Sequence, residues 1–122
     1  MNENSGKSII ISGGAGKMGE LVSEYISTRQ DYFIKGIFDP SYRDEKYPNF
    51  FTSESFEVDI IVEFSSSEFI NKNINRWLES TSNLIIGSSG LSDESIDKLE
   101  NDSKDRKIVV IPNFSIGAAF QK

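Results

Sequence analysis

Apolar residues run along this chain in two rhythms. Short, β-branched, nearly unbroken runs recur at Lys7–Ser12, Phe33–Phe38, Val58–Phe64, Asn83–Ile86 and Lys107–Ile111. Runs of this length, bounded by polar residues, read as strands buried on both faces. Between them the spacing changes to threes and fours. From Lys17 to Arg29, residues Met18, Leu21, Val22, Tyr25 and Ile26 fall on one helical face. A second helix is expected over Ser65–Ser80, with Phe69, Ile70, Ile74, Trp77 and Leu78 on its buried side and Ser65-Ser66-Ser67-Glu68 as a capping box. A third is expected over Ser92–Lys104, with Ser92 as N-cap and Asp93 and Glu94 in its first turn. Asp39–Glu57 contains Pro40, Pro48, several aromatics and mixed charge, and reads as a long loop with room for a short turn of helix.

Strand and helix alternate throughout, so the expected fold class is α/β. The pattern predicts a Rossmann-like, doubly wound, mostly parallel sheet with helices on both faces, as one domain over residues 1–122. Such sheets bind ligands at the carboxyl ends of their strands. Ser12–Gly19, Phe38–Pro40, Phe64–Ser66, Gly87–Gly90 and Pro112–Ser115 should therefore share one edge.

Charge and composition narrow the partners. The formal net charge is −6 and the pI is about 4.6. With no basic run, nucleic acid and anionic membrane are not expected partners. No apolar stretch is long enough to span a bilayer, and the N-terminus lacks a signal-peptide core, which points to a cytoplasmic location. There is no cysteine, hence no disulfide and no thiolate chemistry, and no metal site is expected. Histidine is absent too, which removes the usual acid–base group near neutral pH. No catalytic residue is assigned within this chain.

The first strand runs into Gly13-x-x-Gly16-x-x-Gly19, in the stretch Ser12-Gly13-Gly14-Ala15-Gly16-Lys17-Met18-Gly19. Between a strand and an amphipathic helix, the first glycine permits a tight turn and the second leaves room for a pyrophosphate at the backbone. The third lets the helix pack close to the strand. The plainer reading is a tight turn without a ligand. The dinucleotide version also calls for an acidic residue about 20 positions on, at the end of the second strand. Asp39 stands there, placed to accept bonds from the adenosine ribose hydroxyls; its alternative role is a turn-forming Asp before Pro40. An acidic residue here repels a 2′-phosphate, whereas the Lys17 cation is suited to reach one or simply to stand in solvent.

Two more strand ends carry small polar residues: Gly87-Ser88-Ser89-Gly90, and Pro112-Asn113-Phe114-Ser115-Ile116-Gly117 after Ile111. They suit a backbone-lined pocket for a flat polar ring, with Asn113 able to read a carboxamide through its donor and acceptor. Ordinary turn chemistry uses the same residues.

In order and spacing, GGAGKMG, VEFSSSE, IIGSSGLS and PNFSIGA together resemble the cofactor-binding domain of the dihydrodipicolinate (4-hydroxy-tetrahydrodipicolinate) reductase family, over Lys7 to about Ala119. The resemblance implies NADH or NADPH as cofactor. Gly13, Gly14, Ala15, Gly16, Lys17, Met18 and Gly19 would form the pyrophosphate loop, with Lys17 where the family usually has arginine. Asp39 would be the ribose ligand, and Phe64 and Ser65 would border the cofactor. Gly87, Ser88, Ser89, Ile111, Pro112, Asn113 and Phe114 would lie near the nicotinamide. Glu63 replaces the family's usual Asp, Ser67 its frequent Pro, and Ser88 and Ser89 its two threonines.

The resemblance further implies an oxidoreductase of diaminopimelate and lysine synthesis, delivering hydride to a cyclic imine or enamine dicarboxylate. The family's second domain, which carries its catalytic and substrate-binding residues and its homotetramer contacts, is expected to lie outside these residues. The chain alone is then expected to bind a nicotinamide dinucleotide without turnover. The alternatives are a stand-alone nucleotide-binding or sensing module, and a different dehydrogenase, such as a relative acting on aspartate.

Overall fold

The computed structural model describes residues 6–87 and 90–110. The elements follow in the order β1 (Lys7–Ser12), α1 (Lys17–Ser27), β2 (Tyr32–Phe38), β3 (Ile60–Glu63), α2 (Ile70–Leu78), β4 (Asn83–Ile86), α3 (Asp93–Asp102) and β5 (Ile108–Val110). The strands form one parallel sheet in the order β2-β1-β3-β4-β5. The direction of winding reverses between β1 and β3, which makes their carboxyl ends the switch point of the sheet.

Side-chain alternation along the strands divides the core in two. Ile9, Ile11, Ile37 and Val62 point to the face covered by α1, where they meet Val22 and Ile26. Ile10, Phe38, Ile61, Leu84 and Ile86 point to the other face, against Ile70, Ile74 and Trp77 of α2 and Leu99 of α3. Both faces of the sheet thus carry helices, as the alternation predicts. The β2–β3 connection contains no helix; Asn49 makes an isolated bridge to Ile37, and Phe50 and Phe56 pack onto the α2 side. There Phe38 meets the Trp77 ring edge-on at 4.8 Å between centroids, and the Arg76 guanidinium lies 5.0 Å from the centre of Phe38.

The α2 boundary departs from the expectation. The helix begins at Ile70 with no side-chain cap. The N–H groups of Phe69 and Ile70 both donate to the Ser66 carbonyl, so a turn occupies the residues expected to open the helix. Ser65 makes no capping box because its hydroxyl is engaged at the end of β1, as described below. At the far end of α2, Arg106 donates to the carbonyls of Trp77 (3.1 Å), Leu78 (3.0 Å) and Ser82 (2.8 Å) and pairs with Asp102. A cation on the last carbonyls of a helix satisfies groups that the helix itself leaves unpaired.

Candidate functional site

The β1–α1 loop is held from below. The Gly13 N–H donates to the Phe38 carbonyl at 3.0 Å, and the Gly16 N–H to the Gly13 carbonyl at 3.2 Å. Gly13 has φ +86°, and a Cβ there would stand 2.9 Å from both Phe64 C and Ser65 N. Only glycine meets both demands. Gly19 is equally confined, since a Cβ would lie 2.4 Å from Gly14 Cα. Gly16 differs: the nearest heavy atom to its Cβ position is the Gly13 carbonyl oxygen, 3.7 Å away. The protein does not fill that space, although Gly16 is the N-cap of α1 and no side chain caps the helix. The first N–H groups of α1 therefore have neither intrahelical partner nor cap, and they face the switch point with the positive end of the helix dipole.

Asp39 stands across from this opening. Its Oδ2 accepts the Ala15 N–H at 3.0 Å and its Oδ1 accepts the Ser41 N–H at 2.9 Å. The carboxylate thus ties the end of β2 to the glycine loop. The Asx-type bond to Ser41 is the turn role, and the bond to Ala15 goes beyond it, placing the acid directly beside the loop. A cleft of about 330 Å³ joins Gly13, Gly16, Asp39, Phe64 and Ser65 with Phe38, Pro40, Ser41, Phe51, Ser66, Phe69 and Asn73.

The back wall of the cleft is a buried polar cluster. Glu63 is fully enclosed at the end of β3. Its Oε2 accepts the Ser65 N–H at 2.7 Å and its Oε1 accepts the Trp77 Nε1–H at 2.6 Å. Beside it, the Ser12 and Ser65 hydroxyls lie 3.2 Å apart, and Asn73 Nδ2 donates to Ser65 Oγ at 3.0 Å. Burial pushes the Glu63 carboxyl above the usual carboxylate range, against the opposing pull of the Ser65, Trp77 and Ser12 donors. The Glu63 carbonyl in turn accepts the Gly87 N–H at 2.9 Å, which anchors the β4 end beside the β3 end.

Of the residues singled out from the sequence, Gly13, Gly16, Asp39, Phe64 and Ser65 meet in the cleft. Gly14 and Gly19 are buried beneath the loop, while Ala15 and Lys17 are exposed. Met18 packs against the α1 core. Ser88, Ser89, Ile111, Pro112, Asn113 and Phe114 lie outside the described residues. Ser12, Glu63 and Asn73 were not singled out as site residues. The signal was there: Glu63 is a charge within a buried strand run, and Asn73 is a polar residue on the apolar stripe of α2, among Ile70, Ile74 and Trp77. Among the described residues, no group of His, Cys, Asp or Glu is arranged to hold a metal, and no helix is long and apolar enough to cross a membrane.

Residues 7–114 match the family profile described as dihydrodipicolinate reductase, N-terminus. The 4-hydroxy-tetrahydrodipicolinate reductase of Rickettsia rickettsii is 32% identical over 108 residues, covering 88% of this chain and 44% of that protein. The enzyme of the same name from Dictyoglomus turgidum is 26% identical, covering 89% and 46%. Among solved structures, the dipicolinate-bound dihydrodipicolinate reductase of a Paenisporosarcina species superposes with a TM-score of 0.74 at 20% identity, over 93% of this chain and 49% of that one. Aspartate semialdehyde dehydrogenase II of Vibrio cholerae superposes with a TM-score of 0.61 at 18% identity, over 91% and 43%. At these identities the superpositions show a shared Rossmann-like fold, and they do not separate one dehydrogenase chemistry from another. The chain spans less than half the length of the curated relatives it matches.

Proposed function

The chain belongs to the dihydrodipicolinate reductase N-terminal family, and from that premise we propose that it is the cofactor half of a 4-hydroxy-tetrahydrodipicolinate reductase. The family's N-terminal domain is its NAD(P)H-binding domain, so the cofactor is NADH or NADPH. The observation that carries the residue assignment is the open, uncapped start of α1 at Gly16, with the Asp39 carboxylate facing the same cleft. A pyrophosphate suits the first, because unpaired N–H groups and a helix dipole favour an anion. A ribose suits the second, because a fixed carboxylate accepts from paired hydroxyls.

In this reading the backbone from Gly13 to Met18 holds the pyrophosphate and Asp39 the ribose. Phe64, Ser65 and Gly87 border the remainder of the cofactor, together with Ser88, Ser89 and Ile111 to Phe114. Gly14 and Gly19 let α1 close on β1, and Lys17 adds a cation on the first turn. When bound, the reduced nicotinamide supplies a hydride, here to a cyclic imine or enamine dicarboxylate of diaminopimelate and lysine synthesis. This chain's residues bind and orient. With no histidine in the sequence, the proton and the substrate carboxylates fall to residues beyond this chain, in the longer homotetrameric enzyme.

Calorimetric titration with NADH and NADPH tests the proposal. The expected result is binding in about the micromolar to sub-millimolar range, abolished by Gly16→Val, with no turnover by these residues alone. Lack of binding to either cofactor, or binding that survives Gly16→Val, would overturn the site assignment. Turnover by the 122-residue chain would overturn the division of labour.

A further inference from the structure

We propose that Glu63 is a positioning residue of the dinucleotide site: its carboxyl fixes the Phe64–Ser65 peptide as the wall on which the cofactor rests. This inference depends on reading the cleft as a dinucleotide site. Phe64 and Ser65 are the residues that a side chain at position 13 would strike, so their peptide defines the floor of the glycine turn. The turn and the wall therefore share one contact surface. Three constraints hold that wall. The Phe64 N–H donates to the Ser12 carbonyl at 2.8 Å, the Ser65 N–H donates to Glu63 Oε2 at 2.7 Å, and Asn73 Nδ2 donates to Ser65 Oγ at 3.0 Å. Glu63 also accepts the Gly87 N–H through its backbone carbonyl, so one residue links the β3 and β4 ends of the site.

Stability alone does not account for a carboxyl here. Position 63 follows Ile61 and Val62 and lies between Ser12 and Ile86 in the sheet, and the side chain is fully enclosed with no cation bonded to it among the described residues. A buried carboxyl is costly, and well-packed apolar residues generally replace such groups at little or no loss. What an apolar residue could not do is accept the Ser65 N–H. That bond spans two residues and has the form of an Asx turn made with a longer arm, whose extra reach also takes the Trp77 N–H. The Trp77 bond anchors the carboxyl and the Ser65 bond transmits its position to the cleft.

The two bonds can be separated by titrating NADH and NADPH into the wild-type chain and three variants. Glu63→Met keeps the side-chain length and removes both acceptors; affinity is expected to fall about tenfold or more, because the Ser65 N–H loses its partner. Glu63→Asp keeps an acceptor within reach of Ser65 but not of Trp77; affinity should stay within about threefold of wild type. Trp77→Phe removes only the anchoring donor; it should lower the melting temperature and, like Glu63→Asp, lower affinity by no more than about threefold, because the Ser65 N–H keeps its acceptor. Equal affinity in wild type and folded Glu63→Met overturns the positioning role and leaves the cofactor reading intact. No binding by the wild type overturns both. If Glu63→Met does not fold, the wild type still decides: saturation with NADH should shift the Ser65 amide resonance, and a resonance that stays in place overturns the role.

Discussion

Two helices start at the carboxyl edge of the same sheet and are finished in opposite ways. α3 opens with Ser92, whose Oγ accepts the Ser95 N–H at 3.1 Å, and carries Asp93 and Glu94 in its first turn. Asn71 Oδ1 adds two bonds from outside the helix, accepting the Ser92 N–H at 2.9 Å and the Ser95 hydroxyl at 2.8 Å. Donors and dipole are thus satisfied from within the protein. α1 opens with Gly16, without a cap, with Lys17 as its first residue and empty space where a Cβ would stand. α3 is closed by a side chain, whereas α1, like α2, is not, and α1 alone of the two opens from a glycine onto the cleft. In the proposed reading the difference is a place for the pyrophosphate of the cofactor.

The comparison breaks most severely at Gly13. Replacing it with Ala forces a side chain into positive φ and against the Phe64–Ser65 peptide. A loss of about 3 kcal/mol is expected in denaturant unfolding, along with the cofactor site. Next comes a substitution that finishes α1 in the manner of α3. Gly16→Asp supplies a cap and an acidic charge at a backbone conformation (φ −84°, ψ 174°) open to any residue. It should raise stability by about 0.5 kcal/mol while lowering NADH affinity about a hundredfold, read by melting and by calorimetry. Gain of stability with binding retained would show that the opening is not kept for a phosphate. The converse change, Ser92→Ala, should cost about 1 kcal/mol of stability and leave NADH affinity where it was.

The smallest effect is spread over pH. The open end is backed by an ionisable group, Glu63, whereas α3 is backed by the neutral amide of Asn71. Glu63 titrates higher in the fold than in the unfolded chain, because burial disfavours its charge. Its contribution is therefore complete below the ordinary glutamate range and is lost as pH rises through its raised value. The stability advantage of wild type over Glu63→Gln should thus be largest in acid and shrink toward neutrality. Melting curves at several pH values check it; an advantage that grows with pH has the wrong sign.

Much of this was legible in the sequence because it follows from periodicity. The β-branched runs located all five strands, and β4 falls at Asn83–Ile86 as read. The glycine spacing and Asp39 marked the edge where the cleft lies. What escaped was set by contacts distant in sequence. Ser65 to Glu68 carry a capping-box pattern, yet Ser65 is claimed by Ser12, 53 residues away, and the helix starts later. Phe50 and Phe56 have no strand or helix period, because they reach the core from an irregular crossover. Glu63 was noted only as a replacement for Asp; its partner Trp77 is 14 residues on, in a helix whose apolar stripe explained the indole without it.

Trp77 is the chain's single tryptophan. It sits behind the cleft with its N–H on Glu63, its ring edge-on to Phe38 and its faces shielded from water. The protein thereby carries one indole, bonded to the residue behind the wall of the cleft. An indole fixed in so asymmetric a cage should give a sharp near-ultraviolet dichroism band and blue-shifted emission. Read at the long-wavelength edge, beyond the absorption of the four tyrosines, both signals belong to a single residue and report the state of this one corner.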